Sequence, residues 1–552
     1  MDDKIRHNNQ EKSVAALLVE GLKSSPQEYI LTYLNKGGEL GETRYSPSQL
    51  LSASAAYAER LRRAMNGAHV ALLSMEPGCD FVVALLGCLF SGTTAIPVPA
   101  PRSTKEMSRL QAIMEDSRTR HVICDANTLA YFQENAASAE GLQLIHIPTS
   151  GDDVDGQQNA SVQEPTITPF AFPHEPVIIQ YTSGSTKAPR GVKVTEKNIL
   201  ANQRISAEKW RFAPEKNMLS WLPHYHDMGL FGSIIYPLIS GMQCVLMSPV
   251  DFIKQPLRWL AAVSKYRAAI SGGPAFAYQL CLDIAPDEFI NGLDLSCWQA
   301  AYCGADYVPH QLLENVRKRF SAAGLHPRSV LACYGLAEST LYVGGEKVWE
   351  DLPEVFAQRS NDLTTCEGCY LGRTFDHIRI LSAEGGSDKE AGEAGKIFIS
   401  SDSVTEGYVN APLPTFVENG RTWLDTGDIG FIKDNYLFIT GREKDMVVIH
   451  GKNIFTNDLA LNAANIIHTL NPNACVLYKR EPDHRLTMLI ETKNKTAEFD
   501  EEKIALIKRQ VFDEFGVSLI DVSILPRGSM PRTSSGKVQA ELVRRSYAEQ
   551  VV

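Results

Sequence analysis

The stretch from Tyr181 to Gly191 constrains this chain most, because it reads Tyr-Thr-Ser-Gly-Ser-Thr-Lys-Ala-Pro-Arg-Gly between two apolar runs. The runs, Val177–Gln180 before it and Gly191–Val194 after it, have the composition of short buried strands. A loop rich in serine, threonine and glycine offers many hydroxyls and backbone N–H groups, which are the donors that hold phosphates. The stretch lacks the spacing of a Walker A loop, and taken alone it fits an ordinary polar hairpin loop as well.

The segments around this loop alternate between strand and helix patterns. Strands are predicted at Val70–Leu73, Ala95–Val98 and His121–Cys124, with helices at Cys79–Phe90 and Thr104–Ser117. Such alternation is typical of a parallel sheet covered by helices. We therefore predict an α/β fold.

The pattern changes in the last third of the chain. Short strands follow one another after Gly392, and a separate block begins after Gly441. This block has strand patterns at Asn473–Tyr478 and Leu486–Glu491 and a helix pattern at Glu501–Phe515. Its length of about 110 residues is enough for a small α+β domain of its own.

Composition excludes several classes of protein. The 552 residues carry a net charge of −11, which argues against a nucleic-acid-binding protein. The eleven cysteines are scattered without framework spacing, which indicates reduced thiols and a cytoplasmic protein. The start is polar, without a signal-peptide pattern, and the most apolar stretch, Phe81–Phe90, is too short to span a membrane. No membrane span is predicted.

Further motifs follow the loop in a fixed order. Each of them alone fits a turn, a helix cap or a solvated side chain, and His224 and His226 lack the additional ligands that zinc requires. The motifs are His226–Gly229, Ser271–Pro274, Tyr302–Asp306, Tyr334–Glu338, Asp425–Asp428, Gly441–Asp445 and Pro531–Lys537.

Together, these motifs resemble the adenylate-forming superfamily of acyl-CoA synthetases, peptide-synthetase adenylation domains and luciferases. Within it, the chain is most similar to fatty acyl-AMP ligases, on the phrases His226–Gly229, Ser271–Tyr278 and Tyr334–Leu341. The resemblance covers nearly the whole chain. It implies a large N-terminal domain of helix-flanked sheets (residues 1–440) with a small β-barrel-like subdomain, a hinge (441–445) and a small mobile α+β C-terminal domain (446–552).

The resemblance also implies the reaction. A carboxylate, here a medium- or long-chain fatty acid, attacks the α-phosphorus of ATP and releases pyrophosphate, with Mg²⁺ as cofactor. The acyl-AMP then passes its acyl group to the phosphopantetheine thiol of an acyl carrier protein. Two anions about 4 Å apart repel each other by about 4 kcal/mol at an effective dielectric near 20, so the site needs cationic groups.

By the same resemblance, Lys537, Glu338 and His226 are catalytic. Lys537 would bridge the carboxylate and the phosphate, while Glu338 and Thr186 would bind Mg²⁺. The hinge would lie at Lys444 and Asp445. The nucleotide site would comprise Thr182, Ser183, Gly184, Ser185, Thr186, Gly304, Ala305, Asp306, Tyr334, Gly335, Leu336, Ala337, Asp428, Arg442 and Lys537. The acyl site would comprise His226, Leu230, Phe231, Gly273, Phe276 and Tyr278.

Three alternatives remain open on the sequence. Coenzyme A is a possible acceptor. Acyl-AMP ligases are marked by an insertion that is thought to disfavour transfer to coenzyme A, and Val343–Gly368 occupies the corresponding place. The same residues also fit an ordinary variable surface loop, which would not exclude coenzyme A. An amino-acid adenylation enzyme would need an acidic partner for the substrate ammonium, for which Asp251 is the candidate. A non-catalytic nucleotide-binding protein is disfavoured by the presence of both Glu338 and Lys537. Lys508-Arg509 and Arg544-Arg545 are candidates for docking an acidic carrier protein, or they are solvated helix faces.

Overall fold

The architecture is known from a computed structural model. It describes residues 12–35, 41–149, 176–182, 189–345, 369–373, 377–381, 389, 392–433, 436–449, 452–480, 485–496, 501–515, 518–532 and 538–548. The elements are named below in chain order within these ranges.

The described strands are β1 Leu31–Leu34, β2 Glu42–Tyr45, β3 Val70–Ser74, β4 Thr94–Val98, β5 His121–Cys124, β6 Gln143–Ile145, β7 Ile178–Thr182, β8 Arg190–Val194, β9 Asn217–Ser220, β10 Gln243–Met247, β11 Ile270–Gly273, β12 Ala300–Cys303, β13 Val330–Gly335, β14 Tyr342–Gly345, β15 Cys369–Arg373, β16 Ile378–Leu381, β17 Gly395–Ile399, β18 Thr415–Glu418, β19 Arg421–Lys433, β20 Tyr436–Arg442, β21 Met446–Ile449, β22 Lys452–Phe455, β23 Leu470–Arg480, β24 Arg485–Thr492 and β25 Leu519–Leu525.

The described α-helices are α1 Val14–Ser24, α2 Pro47–Met65, α3 Cys79–Ser91, α4 Thr104–Ser117, α5 Ala126–Glu134, α6 Glu196–Trp210, α7 Tyr236–Ile239, α8 Pro249–Lys254, α9 Leu257–Lys265, α10 Ala275–Ile284, α11 Asp287–Asn291, α12 His310–Phe320, α13 Thr456–Ile466, α14 Glu501–Phe515 and α15 Ala540–Ala548. A π-helix at Met228–Ile235 precedes α7.

Two largely parallel sheets form the N-terminal domain. The first has the order β14-β13-β12-β11-β9-β10-β1-β2, and only its outermost strand on each side is antiparallel. The second has the order β6-β5-β3-β4-β7-β8, with β8 returning antiparallel to β7. The prediction of an α/β fold with parallel sheets is therefore confirmed.

A third sheet and the C-terminal domain complete the chain. The third sheet is antiparallel, with the order β15-β20-β19-β17-β16 and with β18 on β19. Among the described strands, the two edge strands β15 and β16 do not pair with each other. The expected β-barrel-like subdomain is therefore an open sheet in the described residues. The C-terminal domain has a three-stranded sheet, β23-β24-β25, and its own apolar core around Leu477, Met488 and Ile507.

The predicted elements agree closely with the structure. The bounds of α4, β5 and α14 are those predicted, and α3 and β3 extend the predicted segments by one residue each. α3 is apolar because all of it except Asp80 is buried against the core. In the described residues, no helix combines the length and the apolarity that crossing a membrane requires.

His224 is an unusual core residue. Its ring is fully buried between Phe81 of α3, with centroids 5.4 Å apart, and Tyr33 of β1, with centroids 6.5 Å apart. Neither ring nitrogen has a hydrogen-bond partner among the described residues. Burial lowers the pKa of His224 to about 4 from its ordinary value of 6.5, so the ring is neutral in the folded protein at neutral pH.

Acid is therefore expected to destabilise the protein through His224. Between pH 6.5 and 4 the unfolded chain binds a proton at this position that the folded protein does not, so stability falls as the pH decreases, by about 3 kcal/mol in all. His224→Leu removes this dependence and costs little at pH 7, because no hydrogen bond is lost. Thermal midpoints measured between pH 7 and 4 are expected to fall less steeply in His224→Leu than in wild type. The exposed His69→Gln serves as control, and an unchanged slope in His224→Leu would contradict the account.

Candidate active site

A cavity of about 1680 Å³ lies beyond the carboxyl ends of the parallel strands of the first sheet and extends to the C-terminal domain. In sheets of this kind, ligands bind at the carboxyl ends of the strands. The cavity wall includes Thr182 at the end of β7, Ala305 after β12, Glu338 after β13, Asp428 in β19 and Arg532 of the C-terminal domain. Five separate sequence motifs thus meet around one space.

Three side chains form a fixed polar group on this wall. Arg442 Nε lies 3.0 Å from Asp428 Oδ1, and Tyr334 Oη donates a 2.5 Å hydrogen bond to Asp428 Oδ2. The pairing of β19 with β20 places Asp428 directly opposite Arg442, so the strand register sets this contact. The charge of Asp428 raises the pKa of Arg442, and burial together with that charge raises the pKa of Tyr334. Tyr334 therefore remains a hydrogen-bond donor.

Glu338 is held by a second tyrosine. It lies on the 3-10 turn Ala337–Ser339, and Tyr408 Oη donates a 2.7 Å hydrogen bond to its Oε1. Burial and the charge of Glu338 raise the pKa of Tyr408, and the Arg190 guanidinium lies 5.5 Å from the centre of the Tyr408 ring. All three side chains line the cavity.

The backbone around Glu338 is tightly constrained. A Cβ on Gly335 would lie 1.9 Å from the carbonyl oxygen of Leu341, so only glycine fits there. Thr340 has a φ of 67°, a region in which a β-branched residue costs about 1–3 kcal/mol. Its Oγ1 donates to the carbonyl of Ser403 over 2.8 Å, and its N–H donates to Ala337 over 2.9 Å.

Asn202 of α6 fixes the same turn from beneath. Its Nδ2 donates to the carbonyls of Ser339 at 3.0 Å and Tyr342 at 2.8 Å. Its Oδ1 accepts from Tyr342 N at 3.0 Å and from Tyr236 Oη at 3.1 Å. The amide is fully buried, and its two donors and two lone pairs are all used. Asn202 is not among the predicted site residues; the one signal for it in the sequence is a second amide, Asn198, one turn earlier on the same helix.

The Gly304-Ala305-Asp306 motif borders this turn. A Cβ on Gly304 would lie 2.5 Å from Cys333 Sγ, which explains the glycine. Ala305 has a φ of 70° and lines the cavity together with Asp306 and Cys333. The charge of Asp306 also contributes to the raised pKa of Arg442. The predicted residues Gly335, Leu336 and Ala337 line the same part of the wall.

His226 also lines the cavity. Its Nδ1 is 2.6 Å from Asp227 Oδ1, and Asp227 in turn accepts the N–H of Met228 over 2.7 Å. The buried Gln180 donates its Nε2 to the carbonyl of Tyr225 over 2.6 Å, which anchors this segment to β7. The ring is thus oriented by an adjacent carboxylate.

The predicted acyl residues are only partly brought to the cavity. His226 and Phe276 line it, whereas Leu230 and Phe231 are fully buried in the core and are not part of the wall that the described residues define. Both residues lie in the π-helix and are packed in the core by it, while Met228 of the same helix reaches the cavity.

Gly273 and Tyr278 also lie behind the wall. A Cβ on Gly273 would lie 2.6 Å from the Trp221 ring, so the indole fills the space in front of this glycine. Tyr278 is fully buried, and its hydroxyl donates to the carbonyl of Tyr302 over 2.9 Å. The apolar and aromatic residues that line the cavity and were not predicted include Trp210, Met228, Gly232, Ile253, Ala275, Tyr302, Leu341 and Tyr342.

The predicted hinge is a short 3-10 turn, Glu443–Asp445. Arg544 of α15 donates its Nη2 to the carbonyl of Lys444 at 3.3 Å, and Glu443 pairs with Lys396 of β17 at 2.9 Å. Burial raises the pKa of Asp445 above its ordinary value. Whether the chain turns at Lys444 and Asp445 stays a prediction, as do the domain bounds.

The C-terminal segment that reaches the cavity is anchored by a buried carboxylate. Glu491 is fully buried; its Oε1 accepts Met530 N at 2.6 Å, and its Oε2 lies 2.7 Å from Arg532 Nη2. Arg532 pairs with Val538 in an isolated antiparallel bridge, and both residues line the cavity.

Five of the predicted site residues lie outside the described residues. Their flanking residues, Thr182 and Arg190 on one side and Arg532 and Val538 on the other, line the cavity. The five are Ser183, Gly184, Ser185, Thr186 and Lys537.

The chain is similar to several known proteins. The family of AMP-binding enzymes matches residues 22–409. The medium-chain-fatty-acid–[acyl-carrier-protein] ligase JamA of Moorena producens (strain JHB) is 31% identical over 93% of this chain and 91% of its own length. The long-chain-fatty-acid–AMP ligase FadD23 of Mycobacterium tuberculosis (strain CDC 1551 / Oshkosh) is 30% identical over 88% of each chain. A solved structure from structural and functional studies of fatty acyl-adenylate ligases from E. coli and L. pneumophila has a TM-score of 0.79 at 25% identity, covering 98% of each chain.

Removing the Asn202 amide is expected to loosen the turn that bears Glu338. Asn202→Leu removes the hydrogen-bond partner of two buried carbonyls, one buried N–H and the buried Tyr236 hydroxyl, which costs about 2 kcal/mol or more. Thermal unfolding should show a midpoint lowered by several degrees. Ser206→Ala, one turn further along α6, is the matched control, because its buried hydroxyl has no hydrogen-bond partner among the described residues. Equal midpoints for both variants would refute the assignment.

Proposed function

This chain belongs to the AMP-binding family of adenylate-forming ligases, and we propose that it activates a fatty acid and loads it onto an acyl carrier protein. In the first step, a carboxylate oxygen of the acid forms a bond to the α-phosphorus of ATP, and the bond from this phosphorus to pyrophosphate breaks. In the second step, a thiol sulfur attacks the acyl carbon of the resulting anhydride, AMP leaves with the bonding electrons, and the thiol loses its proton.

One observation supports this proposal above all. Glu338, the Asp428–Arg442 pair and the two flanks of segment 533–537, Arg532 and Val538, share one cavity. Along the sequence, these residues lie up to 200 positions apart, from Glu338 to Val538. Their convergence is what an adenylation site requires, because a nucleotide and an acid must be held in line.

Lys537 is proposed as the cation that bridges the two anionic reactants. Lys537 directly precedes Val538, which lines the cavity. Arg532, which precedes the same segment at its other end, is held by an ion pair with Glu491. An ammonium between the carboxylate and the α-phosphate would offset their repulsion of about 4 kcal/mol. It would also stabilise the charge that develops on the phosphate in the transition state.

Asp428, Arg442 and Tyr334 are proposed to hold the nucleoside. The carboxylate can accept hydrogen bonds from ribose hydroxyls, and the Tyr334 ring offers a flat face for adenine. The Arg442 guanidinium pairs with Asp428 and adds a hydrogen-bond donor. Ala305 and Asp306 would border the adenine edge, next to Tyr334.

Glu338 fits a Mg²⁺ ligand. The described residues contain no group of three or more histidine, cysteine, aspartate or glutamate side chains that could hold a metal ion by themselves. A single carboxylate on the wall of an open cavity suits Mg²⁺, which keeps waters and takes phosphate oxygens as ligands. When bound there with Thr186, the ion would spread the negative charge of the triphosphate.

A fatty acid is favoured over an amino acid by the chemistry of the wall. The part of the cavity beyond His226 is lined by Phe276, Met228 and other apolar residues. Asp251, the candidate partner for an amino-acid ammonium, faces Arg258 instead, with Oδ2 and Nη1 3.5 Å apart and both side chains largely buried. An ammonium would therefore compete with an arginine for this carboxylate.

A carrier protein is proposed as acceptor because JamA, 31% identical, is named for that activity. Most of the Val343–Gly368 insertion lies outside the described residues. The candidate docking charges are partly compensated on their own helices, since Arg509 faces Asp513 at 3.7 Å and Arg545 faces Glu541 at 3.1 Å. They lend the carrier assignment little weight.

Lys537→Ala is expected to lower the rate of acyl-AMP formation by about 100-fold or more, because the developing charge loses its cation. The rate is measured as acyl-AMP by mass spectrometry with ATP, Mg²⁺ and laurate. Lys495→Ala, an exposed lysine of the same domain, is the control and should be unaffected. Normal adenylation by a folded Lys537→Ala protein would disprove the role.

The acceptor is tested after adenylation. Holo-acyl carrier protein or coenzyme A is added to enzyme that carries preformed acyl-AMP. We expect acyl-carrier protein to form at least about tenfold faster than acyl-CoA, because the choice of acceptor depends on the difference between the enzyme's affinities for the two acceptors. Faster formation of acyl-CoA would instead assign the chain as an acyl-CoA synthetase. Apo-carrier protein, which lacks the thiol, is the control.

A further inference from the structure

Part of the cavity wall near His226 is apolar, and we name the space along it the apolar branch. Met228 and Gly232 of the π-helix line this part of the wall, and Leu341 lies next to Gly232. Ser233 Oγ donates to the carbonyl of Met228 over 3.0 Å, five residues back, which adds a side-chain bond to the widened turn. π-helical turns are rare and occur frequently at functional sites.

Gly232 keeps this branch open. A Cβ at this position would lie 3.1 Å from Leu341 Cδ2, closer than ordinary van der Waals contact. The residue has no positive φ, so its backbone conformation does not require glycine. Space, and not backbone strain, therefore explains the missing side chain.

Three aromatic rings end the branch, and we name them the aromatic floor: Trp210, Tyr302 and Tyr342. Trp210 stacks on Tyr302 with centroids 4.8 Å apart and planes 9° apart, and it meets Tyr342 edge-on at 5.7 Å. All three rings line the cavity yet are at most 5% exposed, so they form its inner end.

We infer that the aromatic floor sets the greatest length of the acyl chain and that this enzyme prefers medium-chain over long-chain acids. This inference rests on the proposed function, because it assigns the branch to the acyl group. A stacked pair closes the branch where an open tunnel would admit a longer chain. Moving the stack aside would give up the contact energy of two large rings. The relatives do not decide the matter, since JamA is named a medium-chain and FadD23 a long-chain enzyme.

Two substitutions are expected to change the chain-length preference in opposite directions. Trp210→Ala lowers the floor, so the ratio of kcat/KM for palmitate to that for laurate should rise by about tenfold or more, as a few methylenes in an apolar pocket allow. Gly232→Val narrows the branch, so the ratio for octanoate to laurate should rise by a similar factor. Acyl-AMP formation is measured for octanoate, laurate and palmitate in each variant.

Milder variants guard against loss of folding. Trp210→Phe breaks no hydrogen bond, because the indole nitrogen has no partner among the described residues, and it shrinks the floor by one ring. Gly232→Ala adds a single methyl group. Phe212→Leu is the matched control: Phe212 packs behind Trp210, with centroids 6.2 Å apart, and does not line the cavity, so its chain-length ratios should equal those of wild type.

The outcomes separate the two proposals. Wild-type enzyme that adenylates none of the acids would overturn the proposed function. An active wild type that uses palmitate as efficiently as laurate would overturn the medium-chain assignment alone. If the kcat/KM ratios stay at the wild-type values in all folded Trp210 and Gly232 variants, the aromatic floor does not limit the length of the acyl chain. Because ratios are compared, partial inactivation of a variant does not affect the result.

Discussion

The close approach of Gly335 to the Leu341 carbonyl is the contact on which the site depends. It lets the chain reverse between β13 and β14 within a few residues, and Asn202 then binds the reversal at Ser339 and at Tyr342. Glu338 lies inside this short turn, so backbone packing determines where its carboxylate stands. A polar site that is already in place needs no reorganisation when charge develops on the reactants, which is a large part of how enzymes lower barriers.

The two carboxylates of the cavity are matched to different tasks by their neighbours. Each accepts a hydrogen bond from a tyrosine whose pKa is raised, Tyr334 for Asp428 and Tyr408 for Glu338. Asp428 is also compensated by Arg442, which suits it to uncharged hydroxyls of a nucleoside. Glu338 is held by a neutral phenol and is the better placed of the two to meet a cation. The nucleotide and metal roles proposed for the two carboxylates rest on this difference.

Regular elements were predictable from the sequence, because the apolar period that defines α4 or β5 also defines what is buried. That Ala305, Glu338 and Asp428 share one cavity was predictable in outline, because each of them sits in a Gly-rich or polar motif. The acyl side was not. Leu230 and Phe231 follow His226 closely in sequence, but both are buried in the core as part of the π-helix. No local sequence pattern predicts that helix. The aromatic floor joins the end of α6, β12 and β14, which only the folded chain brings together.

Glu491 has a consequence for any rearrangement of the C-terminal domain. It belongs to β24 of that domain, and the two groups it binds, Met530 N and Arg532 Nη2, lead directly into segment 533–537. Met530 and Arg532 are therefore held rigidly to β24 of the C-terminal sheet. If the C-terminal domain moves as proposed, Met530 and Arg532 would move together with β24, and the ion pair of Lys396 with Glu443 would be one of the contacts that has to break.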